Sequence, residues 1–204
     1  MSDEAQSRFY MPGATTIGLV FDGGIILASE KRVTYGSMIM SKTGKKVFKI
    51  TDKIGAACAG LVSDMQILTR EVEAQAKLFS LDAKRPMTVK AAAKVMSNVL
   101  FNRRMIPLII QTIVGGIDDD GPALYVLDVL GSLLPDNYAA VGTGAQMATG
   151  VLEQGYSNKM NQKDAKDLVL KAIKSAVRRD AMSGNGIDLL VITKEGITEN
   201  TIDF

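Results

Sequence analysis

The chain has 204 residues, of which 47% are apolar and 23% charged, a balance that suits a globular protein with a sizeable core and excludes disorder or fibrous structure. Histidine is absent and cysteine occurs once, as Cys58, so Ser-His-Asp and Cys-His catalysis, imidazole metal sites, internal disulfides and thiolate zinc sites are all excluded. Lys plus Arg is 24 against 22 Asp plus Glu; a net charge of +2 gives no electrostatic ground for binding nucleic acid.

Apolar runs such as Ala123–Leu127 are too short to cross a bilayer, and residues 1–13 lack the basic and apolar regions of a secretory signal. A cytoplasmic protein without membrane contact is expected. Thr15–Phe21 reads as a strand, Asp22-Gly23-Gly24 as a tight turn and Ile25–Ala28 as the returning strand. Met38–Met40, Val47–Ile50 and Ile54–Ala59 read as further strands. The period then changes from two to 3.6. Met65, Leu68, Val72 and Phe79 fall on one face of a helix over Ser63–Phe79, and Val89, Ala92, Ala93, Met96, Val99 and Leu100 on one face of a second, bracketed by Pro86 and Pro107. Strands return at Ile109–Val114, Leu124–Val129 and Tyr138–Val141. A third helical stripe runs from Ala165 to Ala176, and Ile187–Ile192 reads as a strand buried on both faces. This order predicts an α+β protein in which two sheets pack together under helices, with no linker dividing residues 14–204.

With histidine and paired thiols gone, an enzyme must use carboxylates, lysine, hydroxyls or backbone amides. One such solution is an N-terminal threonine whose own α-amino group, with an ordinary pKa near 8, serves as base for its hydroxyl. That scheme needs a leader peptide removed just before a strand.

Gly13-Ala14-Thr15-Thr16-Ile17-Gly18, Ser29-Glu30-Lys31-Arg32-Val33-Thr34, Lys42-Thr43-Gly44-Lys45-Lys46, Ala59-Gly60-Leu61-Val62-Ser63-Asp64, Val114-Gly115-Gly116-Ile117-Asp118 and Arg179-Asp180-Ala181-Met182-Ser183-Gly184 follow one another at consistent spacing. In this order they resemble a proteasome β subunit of the archaeal type over residues 13–193. The resemblance implies a four-layer αββα sandwich of the N-terminal nucleophile hydrolase type and a threonine endopeptidase without cofactor or metal. It also implies a seven-membered homo-oligomeric β ring stacked with rings of α subunits. Unfolded proteins would be the substrates, delivered by an ATP-driven unfoldase through the α ring.

The same resemblance places the nucleophile position at Ala14, directly after Gly13 of the leader. Alanine has no hydroxyl, so both peptide cleavage and self-removal of the leader are expected to be lost, leaving residues 1–13 attached. Thr15 is expected on the opposite face of the strand, and Thr16 lies about 6.6 Å further along at about 3.3 Å per residue, so neither replaces the missing group. By resemblance, Lys46 lowers the nucleophile's pKa, Glu30 pairs with that lysine, and Asp180 with Ser183 supports the N-terminal residue. Gly60 supplies the oxyanion amide, and Thr143, within Gly142-Thr143-Gly144, stands where serine is more usual and ranks below the others. Val33, Thr34, Cys58 and Val62 match positions that bind substrate, with Val33, Cys58 and Val62 forming an apolar pocket that favours cleavage after hydrophobic residues. Taken singly, each of these residues has an ordinary structural explanation: Lys46 in a solvated turn, Glu30 flanking a strand, Asp180 and Ser183 ending a helix, Gly60 at a tight strand end, Cys58 as a small core residue. Joint spacing favours a site for Lys46, Glu30, Asp180 and Ser183.

Two readings of Ala14 follow. In one, the nucleophile of an otherwise complete peptidase has been exchanged, most simply by engineering. In the other, the chain is a naturally non-catalytic β subunit with a structural or assembly role. The simpler bacterial relative without α subunits matches fewer of these blocks, and an α subunit would carry a helix before its first strand.

Overall fold

The computed structural model describes residues 13–203; the expected leader, apart from Gly13, lies outside the described residues. The first sheet contains β1 (Thr16–Phe21), β2 (Gly24–Glu30), β10 (Tyr138–Val141), β11 (Ile187–Thr193) and β12 (Gly196–Ile202), in the order β10-β1-β2-β11-β12. The second contains β5 (Val47–Lys49), β6 (Ile54–Gly60), β7 (Ile110–Asp118), β8 (Gly121–Leu127) and β9 (Leu134–Asp136) in sequence order. A separate hairpin pairs β3 (Val33–Tyr35) with β4 (Met38–Ser41). All pairings are antiparallel.

Three apolar layers hold these elements together. Ile25, Leu27, Leu190 and Ile192 of the first sheet meet Ala57, Ala59 and Ile113 of the second in an inner core that also takes in Ala14. Outside the second sheet, α1 (Val62–Ala83) and α2 (Val89–Asn102) bury the stripes read from the sequence against Ile54, Ala56, Cys58 and Val114. Outside the first sheet, α3 (Ala145–Gly155) and α4 (Gln162–Val177) cover Ile17, Leu19, Ile26 and Leu189. The result is a four-layer αββα sandwich, as expected. Removing one Leu or Ile side chain from any of these layers would cost about 2–5 kcal/mol.

Helix boundaries follow from local chemistry. The Thr88 hydroxyl accepts the Ala91 N–H at 3.2 Å and starts α2, and the Asn161 side chain accepts the Asp164 N–H at 3.0 Å and starts α4. α1 has no side-chain cap, but Asp64 in its first turn accepts the Ile109 N–H at 2.7 Å and ties the helix to the start of β7. The sequence reading missed α3, β3, β9 and β12. α3 buries fully only Ala148 and Leu152, too few for a visible stripe, and β12 is a half-exposed edge strand of sequence GITENTI.

The pairing register decides where chemistry can gather. Thr16 lies opposite Ser29 on β2 and Val141 on β10, and Glu30 lies opposite Ile187 on β11. Gly60 ends β6 opposite Ile110 at the start of β7. Ala14, Glu30, Thr143 and Gly60 are therefore all delivered to one open end of the sandwich.

Candidate active site

Two polar systems meet at that end. The first is ionic. Glu30, at the last position of β2, is 1% exposed and Lys46, just before β5, is 2% exposed. Lys46 Nζ donates to Glu30 Oε1 and, at 2.5 Å, to the Arg32 carbonyl oxygen. The other carboxylate oxygen, Oε2, accepts the Arg32 N–H at 2.7 Å and the Gly184 N–H at 2.9 Å. Burial pushes the Lys46 ammonium below the ordinary lysine range, against the pull of Glu30, and pushes the Glu30 carboxyl up, against the pull of Lys46. A charge pair this dry persists because both members are bonded on several sides; removing one would strand the other.

The second system is a chain of hydroxyls ending on one carboxylate. Asp180 Oδ2 accepts from Ser183 Oγ and from Thr143 Oγ1, each at 2.6 Å. Since Ser183 has spent its only proton, Thr15 Oγ1, at 2.7 Å, must donate to it. On the other side, Thr143 Oγ1 accepts the Ala14 N–H at 3.3 Å. Thr143 Oγ1 also lies 3.3 Å from the Ala14 carbonyl oxygen, but the shorter contact to Asp180 takes its proton, so the directions run from Thr15 through Ser183 to Asp180, and from the Ala14 nitrogen through Thr143 to the same carboxylate. The Ala14 carbonyl is held by Gly144 N–H at 3.3 Å.

Gly60 closes the site from the second sheet. Its φ is +138°, and a Cβ there would lie 2.1 Å from the Ile109 carbonyl oxygen, so glycine is required. Beside it, a cleft of about 310 Å³ is bounded by Ala59, Ile110, Gln111, Gly142 and Thr143. A second cleft, of about 780 Å³, opens where Gly44 and Lys45 precede Lys46; Val33, Phe48 and Val62 give it an apolar wall, and Arg70 and Glu73 line it as well.

A family model described as "Proteasome subunit" matches residues 11–192. The chain belongs to the proteasome subunit family. It is 53% identical over 192 residues to proteasome subunit beta 1 of Nitrosopumilus maritimus, covering 94% of this chain and 96% of that one. It is 52% identical over 189 residues to proteasome subunit beta 1 of Cenarchaeum symbiosum, covering 93% and 97%. Proteasome subunit beta 2 of Caldivirga maquilingensis is 48% identical over 202 residues, covering 99% of both. By family, a proteasome β subunit is a threonine protease.

Against that chemistry, the structure brings Ala14, Thr143, Asp180 and Ser183 into one bonded network and sets Glu30 and Lys46 in a second. Thr143, ranked last from the sequence, is the residue whose hydroxyl touches the Ala14 nitrogen, because β10 pairs with β1 and carries the following loop to it. Its contact shows what threonine can do here as well as serine: accept one N–H and donate to Asp180.

Cys58 does not line the larger cleft. Alternation along β6 turns Ala57 and Ala59 into the inner core and Ile54, Ala56 and Cys58 outward beneath α1 and α2. There the thiol is wholly buried, accepts from Thr112 Oγ1 at 3.8 Å and is pushed by burial up to about 12. Val33 and Val62 do line that cleft, whereas Thr34 leaves its Oγ1 buried and without a hydrogen-bond partner among the described residues. Two residues given no role from the sequence also shape the site. Arg32 donates to Asn185 Oδ1 at 2.8 Å and to the Ala181 carbonyl at 2.7 Å, holding the 181–185 turn that carries Ser183. Ser29 Oγ lies 2.8 Å from Thr16 Oγ1, which also donates to the Cys58 carbonyl at 2.9 Å.

Proposed function

We propose that this chain is a proteasome β subunit whose threonine-peptidase site is built and bonded but lacks its nucleophile at Ala14, so that it neither removes residues 1–13 nor cuts peptides. One observation carries the reading: the Thr143–Asp180–Ser183 network converges on the nitrogen of residue 14, and the side chain there is a methyl group. In an active site of this class that nitrogen would be a free amine. It would take the proton from a threonine hydroxyl on the same residue as the oxygen attacks the substrate carbonyl, with Lys46 favouring the anion and the Gly60 amide receiving the oxyanion.

The neighbouring hydroxyls do not substitute. Thr15 Oγ1 is committed to Ser183, and Thr16 Oγ1 to Ser29 and the Cys58 carbonyl; both residues are fully buried. The completeness of the network favours exchange of the nucleophile over drift in a structural subunit, since Thr143 makes the bonds the site requires. Codon 14 of the source gene separates these two origins: threonine supports exchange, alanine supports a naturally silent subunit.

As a β subunit, the chain is assigned to a seven-membered homo-oligomeric ring stacked on α subunits, in the cytoplasm, acting on unfolded proteins admitted by an ATP-driven unfoldase. Val33 and Val62 point to a preference for hydrophobic side chains on the acyl side of the cut bond. The test is hydrolysis of fluorogenic peptides by particles assembled with α subunits. Those containing Ala14→Thr should cleave after hydrophobic residues, and those containing this chain should not cleave. Cleavage by the unaltered chain, or a silent Ala14→Thr particle that has assembled normally, would overturn the proposal.

A further inference from the structure

We propose that Gln111 is a positioning residue for this peptidase site, an inference that rests on the reading of Ala14 above and deepens it. Gln111 stands on β7 opposite Ala59 of β6, one residue along from Ile110, which pairs with Gly60. Its Oε1 accepts the Gly142 N–H at 3.0 Å. Gly142 opens the turn between β10 and α3 with φ +96°, and a Cβ added there would lie 2.2 Å from the Ala14 carbonyl oxygen. The turn is therefore pressed onto the backbone of residue 14. Its next residue, Thr143, holds the Ala14 nitrogen, and the one after, Gly144, holds the carbonyl.

The amide of Gln111 thus links the β6–β7 ladder that carries the oxyanion glycine to the turn that holds the nitrogen of the nucleophile position. These two parts come from different sheets, and their separation must be kept within about half an ångström for catalysis. The Gln111–Gly142 bond lies at an exposed position, where water competes for both partners. Its loss should therefore affect stability little and alignment much. A side-chain oxygen of this reach suits the role because it accepts and fixes the Gly142 N–H. Leucine fills similar space and accepts nothing.

The experiment uses assembled particles carrying Ala14→Thr. Gln111→Leu should lower kcat for a short fluorogenic peptide about tenfold and leave KM within about twofold, while Gln111→Glu, which keeps an acceptor, should recover most of kcat. In particles of the unaltered chain, Gln111→Leu should also speed hydrogen exchange in segment 141–148 and leave β7 protected. An unchanged kcat, a loss confined to KM, equal losses for Leu and Glu, or unchanged exchange in 141–148 would each overturn the role of Gln111. A silent Ala14→Thr particle would instead overturn the reading of Ala14, and this inference with it.

Discussion

The two polar systems that meet at the site are built on opposite principles. The Glu30–Lys46 pair comes from the first quarter of the chain, is almost sealed from water, and sets one full charge against another. The Thr15–Ser183–Asp180–Thr143 relay joins residues up to 168 positions apart, and it spreads a single carboxylate over three hydroxyls and a backbone N–H. In the proposed site, the pair would supply electrostatic potential and the relay position. A site that had lost its purpose would have no reason to keep both; here the pair is fully bonded and the relay reaches the nitrogen of residue 14, whose side chain is a methyl group.

Breaking the ionic system should have the largest effect. Lys46→Ala leaves Glu30 buried without its cation and should destabilise the folded chain by about 3–5 kcal/mol, measured by denaturant unfolding. The double variant Lys46→Met with Glu30→Gln, which keeps acceptors for the Arg32 and Gly184 N–H groups, should recover most of that loss. In the Ala14→Thr particle, Lys46→Ala should reduce peptidase activity by about 10²–10⁴-fold.

The relay should be less costly to cut. Ser183→Ala removes one donor from Asp180 and the acceptor for Thr15, and should cost about 1–2 kcal/mol by the same measurement. Thr143→Ser, which keeps the hydroxyl, should be close to neutral, whereas Thr143→Val leaves the Ala14 N–H and one Asp180 lone pair unmet. If Ser183→Ala proves more damaging than Lys46→Ala, the division between potential and position is wrong.

A pH profile sharpens the same contrast. Burial holds the Lys46 ammonium below the ordinary lysine value of 10.5, so it loses its proton earlier as pH rises. The alkaline limb of kcat/KM for the Ala14→Thr particle should therefore fall below the range of an exposed lysine, and a limb at or above 10.5 would contradict this. The smallest effect concerns Cys58. With its thiol wholly buried and pushed up to about 12, it should resist iodoacetamide at pH 8 in the folded particle and react after denaturation, read by mass.

Much of this was legible in the sequence where burial is one-sided. The stripes of α2 and α4 stand out because six or more residues of each are buried on one face, and both helices were read correctly. α3 was not, since packing on α4 rather than a long apolar stripe holds it in place. Block spacing singled out Glu30, Lys46, Asp180 and Ser183. It ranked Thr143 last, although the β1–β10 pairing brings its hydroxyl to the nitrogen of residue 14 across 129 positions of chain, and it passed over Gln111 and Arg32, which bond to the Gly142 N–H and to the Ala181 carbonyl and Asn185 side chain, partners that block spacing does not reveal. For Cys58 the reading as a small core residue agrees with the structure and the pocket reading does not, for a simpler reason. Period-two alternation along β6 already turns it away from Ala57 and Ala59, and spacing alone ignores which face a residue occupies.

The most direct measurement is the intact mass of the β chain isolated from assembled particles, for the unaltered chain and for Ala14→Thr. The unaltered chain should retain residues 1–13 and take up no epoxyketone adduct, while the threonine variant should lose those thirteen residues and become modified. An unaltered chain that starts at residue 14, or that carries the adduct, would contradict the account.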